Sequence, residues 1–207
     1  SIKIDNADDY DSKISTLTDQ LFIAKYPGKL GNSLKVRCID SHGWAASVGA
    51  GAPADMQAKF KASFDRAPGT STDVANAGGT NDEMHVLVID EDGLWTGTPG
   101  EVLEAHGYVS KATDAKRIDG STNYIGNVLR NESEYVWLGK VAELTANSVV
   151  AGRSAGQAKA GGDFKSFDNA TDINKFPGGS LTGGVDGNTL TDSELQAGYA
   201  MYTNQIG

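Results

Sequence analysis

Gly152-Arg153-Ser154-Ala155-Gly156 has the G-x-S-x-G spacing that, in hydrolases, raises a serine on a sharp strand-to-helix turn to attack an acyl carbon. Such a serine needs a helix directly after it and, later in the chain, an acid and then an imidazole base. Here Gln157 to Gly162 is rich in Ala and Gly, with Gly161-Gly162 opposed to a helix, and His42, His85 and His106 all precede Ser154. The spacing predicts a turn and no nucleophile. Asp90-Glu91-Asp92-Gly93, with Glu101 at the twelfth position, has the outline of a calcium loop. An EF-hand places oxygen donors at positions one, three and five and glycine at six, whereas Leu94 stands at five and glycine at four. A hairpin turn accounts for it better.

The three histidines share no metal-binding spacing, and one cysteine makes no zinc cluster. Gly178-Gly179-Ser180 and Gly183-Gly184 lack the lysine and following hydroxyl residue of a phosphate-binding loop and read as flexible connection. The acidic clusters at 5–11 and 90–92 are local and sit at turns, as a solvated surface does. No catalytic, cofactor-binding or metal-ligating residue is expected, and the chain does not read as an enzyme.

The elements that would position these groups follow from periodicity. Ser1 to Asp5 alternates as a short strand, followed by an acidic turn through Asp8, Asp9 and Asp11. Leu34–Ile39 is a strand in which Cys38 is a small buried hydrophobe. A Gly/Ala loop at 43–52 leads to a helix from Pro53 to Phe64, with Met56, Phe60 and Phe64 on its core face. A polar loop over 67–81 precedes the strongest strand, Met84–Asp90, whose run Val86-Leu87-Val88-Ile89 requires cover on at least one face. That strand turns back through Leu94-Trp95. Thr98-Pro99-Gly100-Glu101 has the form of a capping box opening a helix to His106. A further helix begins at Ser121 or Thr122 with Tyr124, Ile125, Val128 and Leu129 on one side, and Tyr135–Leu138 is a strand. Residues 151–187 hold nine glycines and read as a mobile surface loop. Thr191-Asp192-Ser193-Glu194 is a second capping box, opening a helix with Leu195, Tyr199 and Tyr202 facing inward. The expected fold is α/β (α+β): one compact unit over 1–207, a two-layer sandwich of a mixed β-sheet with helices packed against it and long Gly-rich surface loops.

Composition narrows the partners. The 207 residues hold 27 acidic and 18 basic side chains, and a net charge of −9 repels phosphate backbones and anionic headgroups. Neither nucleic acid nor a membrane surface is an expected partner. The lone Cys38, without an intrachain disulfide partner, fits a reducing compartment. Glycine, at 26 residues, is well above the roughly 7% average, so much of the chain is loop. A start at Ser1 rather than methionine suggests a piece of something longer.

Three stretches together resemble the tail sheath protein of contractile-tailed bacteriophages (myoviruses). They are Phe22–Gly28 running into Leu30–Val36; His85–Gly93 with Thr96–Gly100; and Val109–Ala112 through Asp119-Gly120-Ser121 to Ser133–Trp137. Their order and spacing match, as does Leu181–Gly187 before the last helix. Coverage runs from about residue 20 to the end, least well over 151–180. The resemblance implies a structural subunit of the virion, assembled in the host cytoplasm, that polymerises around a tail tube and contracts to drive it through the host envelope. Its implied partners are other copies of the sheath protein, with the tube and baseplate contacted through parts outside this chain. What remains would be the outward-facing α/β layer. The competing reading is a surface-exposed binding module that meets host or partner proteins through its loops, which predicts an exposed apolar or aromatic patch there. A hydrolase, in contrast, predicts a histidine beside Ser154.

Overall fold

The computed structural model describes residues 4, 6–18, 20–146, 148, 151–167, 175–187 and 189–203. Its helices are α1 (Ala7–Lys13), α2 (Ser41–Ala45), α3 (Ala52–Ser63), α4 (Thr72–Asn76), α5 (Ile125–Glu132) and α6 (Asp192–Thr203). Its strands are β1 (Phe22–Ala24), β2 (Leu34–Ile39), β3 (Gly79–Thr80), β4 (Glu83–Asp90), β5 (Glu101–Ser110), β6 (Val136–Leu138), β7 (Gly162–Asp163) and β8 (Gly178–Ser180).

β4 is buried along its whole length and pairs antiparallel with β2 on one edge and β5 on the other. β8 joins the far edge of β2, giving the order β5-β4-β2-β8. Side chains of a strand alternate between faces, so an unbroken apolar run supplies both. Met84, Val86 and Val88 of β4 join Leu34, Val36 and Cys38 of β2 in a core closed by Ile125, Val128 and Leu129 of α5 and by Val136 and Leu138 of β6. Leu87 and Ile89 belong to a second core with Ile39, Phe60 and Phe176, against which Trp44, Met56 and Phe64 pack. The α+β class is as expected, with the α3 stripe and the strand at 34–39 where the periodicity puts them. The two-layer arrangement and the mixed sheet are corrected. Apolar residues of both parities need cover on both faces, and pairing within this sheet is antiparallel throughout, the parallel pair β3–β7 lying outside it.

Other expectations change for identifiable reasons. The helix from Thr98 to His106 is strand β5: its residues pair along the edge of β4, and that ladder overrides a local capping pattern. Thr98 instead closes a turn, its carbonyl accepting from Glu101 N at 3.3 Å. The acidic turn at 8–11 is the first part of α1, capped by Asn6, whose side chain accepts from Asp9 N. The loop at 43–52 begins inside α2, the loop at 67–81 contains α4 and β3, and α5 starts at Ile125 rather than at 121 or 122. Of the strand expected at Ser1 to Asp5, all but Ile4 lies outside the described residues.

The largest revision concerns 151–187. Ala155, Phe164, Phe167 and Phe176 are all buried, so this glycine-rich stretch supplies core side chains rather than surface alone. Lys111 enters the same region fully buried, its ammonium 3.1 Å from Asp40 Oδ2 and 4.6 Å from the centroid of the Phe167 ring. By contrast, α6 has its expected capping box, with Glu194 N donating to Thr191 Oγ1 at 3.3 Å and Thr191 N donating to Glu194 Oε2 at 2.8 Å. Its apolar residues do not face inward: Leu195 and Tyr199 are exposed, and the side chain of Tyr202 lies outside the described residues.

Phe167→Ala is expected to cost about 3–5 kcal/mol in denaturant melts, the range for deleting a buried aromatic ring. Val185→Ala, in the same glycine-rich stretch but exposed, should stay within about 0.5 kcal/mol. Equal small effects would return 151–187 to the surface.

Candidate functional surface

Groups able to do chemistry are recognisable by what their hydrogen bonds hold. Asp90 ends β4 fully buried. Ser33 Oγ donates to its Oδ1 at 2.7 Å, while Trp95 N, Thr96 N and Thr96 Oγ1 donate to its Oδ2 at 2.9, 2.8 and 3.0 Å. Burial pushes this carboxyl up, but the donors from Ser33, Thr96 and Trp95 outweigh it and hold the group below the usual carboxylate range. Glu91 is engaged by Lys35. Asp90 and Glu91 are therefore committed to neighbouring Ser33, Lys35, Trp95 and Thr96, and among the described residues no group of three or more His, Cys, Asp or Glu is placed to hold a metal ion.

The turn positions an aromatic cluster. Asp90 fixes the backbone of Trp95, whose ring meets Tyr26 at 4.8 Å and Tyr135 at 5.0 Å between centroids, both edge to face. Tyr26 of this cluster is exposed, as are Leu30 and Leu94 in the flanking segments. Beside this cluster an open groove of about 780 Å³ runs between β1 and the segment from Gly178 to Val185. Asn32 fastens the wall, donating through Nδ2 to Gly184 O at 2.9 Å and accepting from Gly184 N at 2.8 Å.

Ile118 is the most exposed apolar side chain among the described residues, and the segment that follows the groove wall carries four more in succession. Val185, Leu190 and Tyr199 are 75%, 64% and 69% exposed, and Leu195 is 41% exposed. Elsewhere a second open cleft, of about 750 Å³, is lined by Arg66, Asp73, Glu83, Tyr108, Arg117 and others. Its charges are largely paired: Arg66 lies 3.4 Å from Glu83, Asp73 2.7 Å from Lys159, and Arg117 grips Glu132 through both nitrogens.

Ser154 sits in a different setting from a nucleophile. The segment directly after it, up to β7, is not helical, the Ser154 amide donates to Gln157 Oε1 at 3.1 Å, and Gly156 N donates to Lys111 O at 2.8 Å. The hydrogen bonds found for the histidines run elsewhere: His85 to Arg66 O and Tyr108 N, His106 to Glu104. Cys38 is buried, and that burial pushes its thiol far up.

Sequence reasoning missed the polar residues that hold these surfaces. Asp40 Oδ1 caps α2 through His42 N and Gly43 N, and its Oδ2 accepts from Phe167 N at 2.8 Å as well as from Lys111. Asp82, fully buried, accepts from Ser71 N, Ser71 Oγ and Ser110 Oγ. An aspartate directly before Ser41 and after a strand was a readable cap signal; Asp82 and Lys111 had none.

No helix among the described residues is long and apolar enough to cross a membrane. No family model matches the chain, and no curated protein matches it.

Asp90→Ala should cost at least about 2 kcal/mol, because four donors lose their acceptor in a buried turn. The sign with pH follows from the lowered carboxyl. Its stabilisation is complete above the unfolded value of about 3.9 and is lost as pH falls through the lower folded value. Denaturant melts between about pH 2 and pH 7 should show the wild type and the variant converging only in acid. A constant gap would mean that the carboxylate charge is irrelevant to the turn.

Proposed function

We propose that the chain is a structural subunit of a contractile bacteriophage tail sheath, one that polymerises around the tail tube and moves with it during DNA delivery, and that it performs no catalysis. The observation that carries this reading is the arm from Val185 to Tyr199. A 12-residue helix is marginal in water by itself, and α6 presents Leu195 and Tyr199 to solvent after the exposed Val185 and Leu190. Such an arm gains most by packing on a neighbour, and a neighbouring copy is the partner that a virion shell supplies. The chemistry-bearing groups are consistent with a scaffold, since Asp40, Asp82, Asp90 and His85 all bond to backbone that they position. Polymerisation would use copies of this chain, with tube and baseplate met through parts outside it. The place of action is the virion tail, after assembly in the host cytoplasm.

The second reading, a binding module, is favoured by one feature: Tyr26, which meets the Trp95 ring, is exposed, as are Leu30 just before β2 and Leu94 in the turn after β4. The two readings differ in which surface matters.

Leu195→Asp with Tyr199→Asp should leave the melting temperature of the isolated chain nearly unchanged, as expected for exposed positions, and should prevent incorporation into tails. Electron microscopy of particles carrying tagged copies reads the result. Tag density at a regular helical repeat, lost in the double variant, supports the sheath. Density confined to a tip or fibre, or loss only with Tyr26→Asp, supports the binding module instead.

A further inference from the structure

We propose that His85 is a pH-operated latch on β5: taking up a proton on its ring ejects the Tyr108 amide and opens the strand where it borders the cleft lined by Arg66 and Glu83. The latch does not depend on the assembly reading.

His85 is fully buried on β4, and both ring nitrogens are in use. Nε2 lies 2.9 Å from Arg66 O, and a carbonyl only accepts, so Nε2 carries the hydrogen. Nδ1 lies 3.1 Å from Tyr108 N, and an amide only donates, so Nδ1 must keep its lone pair. The partners thus specify a neutral imidazole. The ring is clamped in that pose, stacked on Phe64 at 3.9 Å and met edge-on by Tyr108 at 4.6 Å and Trp44 at 5.8 Å.

What the ring holds is an irregularity. Between the pairs Met84↔Val109 and Val86↔His106, β5 carries one residue more than β4. Tyr108 occupies the resulting bulge at φ 57°, a left-handed conformation unfavourable to a bulky side chain. Its amide is thereby turned out of the ladder and onto Nδ1. Gly107 permits the approach, since a Cβ there would stand 2.9 Å from Phe64 Cε1. On the outside, the Tyr108 ring lies 3.9 Å under the Arg66 guanidinium, and its hydroxyl bonds to Asp65.

A proton on Nδ1 sets two donors against each other with no acceptor between them. The titratable groups on the packed elements are committed elsewhere. Asp65 and Arg66, which follow α3, hold the outer face of Tyr108, and Lys61 of α3 lies over Trp44. Glu83 of β4 accepts from Gly69 N and Arg66, Asp40 caps α2, which contains His42, and His106 of β5 bonds Glu104. Burial lowers the affinity of His85 for a proton, the Arg66 charge adds to this, and the Arg66 carbonyl and Asp65 oppose it, with the net direction downward. The sign is therefore that of a depressed group: its stabilising effect is complete above the unfolded value of about 6.5 and is lost as pH falls through the folded one. Between those values, only a state in which the bulge has opened binds the proton at ordinary affinity.

Amide exchange of the whole chain, read by NMR and corrected for the intrinsic effect of pH, tests this, with the His85 ring shifts titrated in the same samples. Protection at Tyr108 should fall by up to about tenfold per pH unit below about pH 6.5 and level off once the closed-state ring itself takes up the proton at its lower folded value, while Leu87 and Val36 stay protected. His85→Gln, whose amide can donate and accept without titrating, should make Tyr108 protection independent of pH. Should that variant not fold, the wild-type ring titration decides alone. Tyr108 protection that stays constant from about pH 6.5 down through the ring titration, or that falls together with Leu87, overturns the proposal.

Discussion

Burying β4 on both faces is the constraint from which most of this structure follows. An eight-residue strand with no exposed position cannot leave backbone or polar side chains to water, so each must find a partner within the chain. β2 and β5 satisfy the ladder. The ionisable residues at or near the strand's ends are drawn into service in turn: Asp82 clips the segment before α4 at Ser71, Glu83 takes the Gly69 amide, His85 holds the bulge, and Asp90 builds the turn that carries Trp95. The surfaces exposed to partners are shaped by these interior obligations.

Part of this was legible in the residues themselves. Val86–Ile89 could only be a covered strand, Met56 and Phe60 mark the inner side of α3 with Phe64 just past its end, and Thr191 with Glu194 does close the start of α6. The misreadings share a cause, which is that local signals lose to distant pairing. Thr98-Pro99-Gly100-Glu101 has the local form of a helix start, yet an unpaired edge of β4 costs more than a forgone helix. Phe164, Phe167 and Phe176 are isolated among glycines and show no period, so only the three-dimensional structure reveals that they are interior. Lys111 is harder still, because nothing in its neighbours announces that Asp40 and Phe167 will enclose it.

For the candidate surface, the sequence marked the turn at 90–93 and the final helix but reversed the meaning of each. The acidic turn is inward-bonded rather than solvated at Asp90, and the helix is outward-facing rather than packed. Both reversals bear on function in the same way. Polar groups that looked available for ligands are tied to scaffold, whereas apolar groups that looked tied to the core are available for a partner. The buried pair of Asp40 and Lys111 fits this division, since removing either member alone would strand a charge, while it joins the end of β2, the segment after β5 and Phe167 into one rigid junction.

The outermost pairing of the sheet has a consequence for how the molecule is made. β8 meets β2 with Lys35 opposite Ser180, so most of the chain must be synthesised before that edge can close. Contacts so remote in sequence carry a large loop-closure entropy and form late. Until then β2 presents an unpaired, apolar strand edge to every neighbouring nascent chain, and where many copies emerge together that edge is the place at which wrong pairings would start. β8 is mostly glycine, with no large side chain to arrange, which suits a strand whose task is to cover that edge once it reaches it.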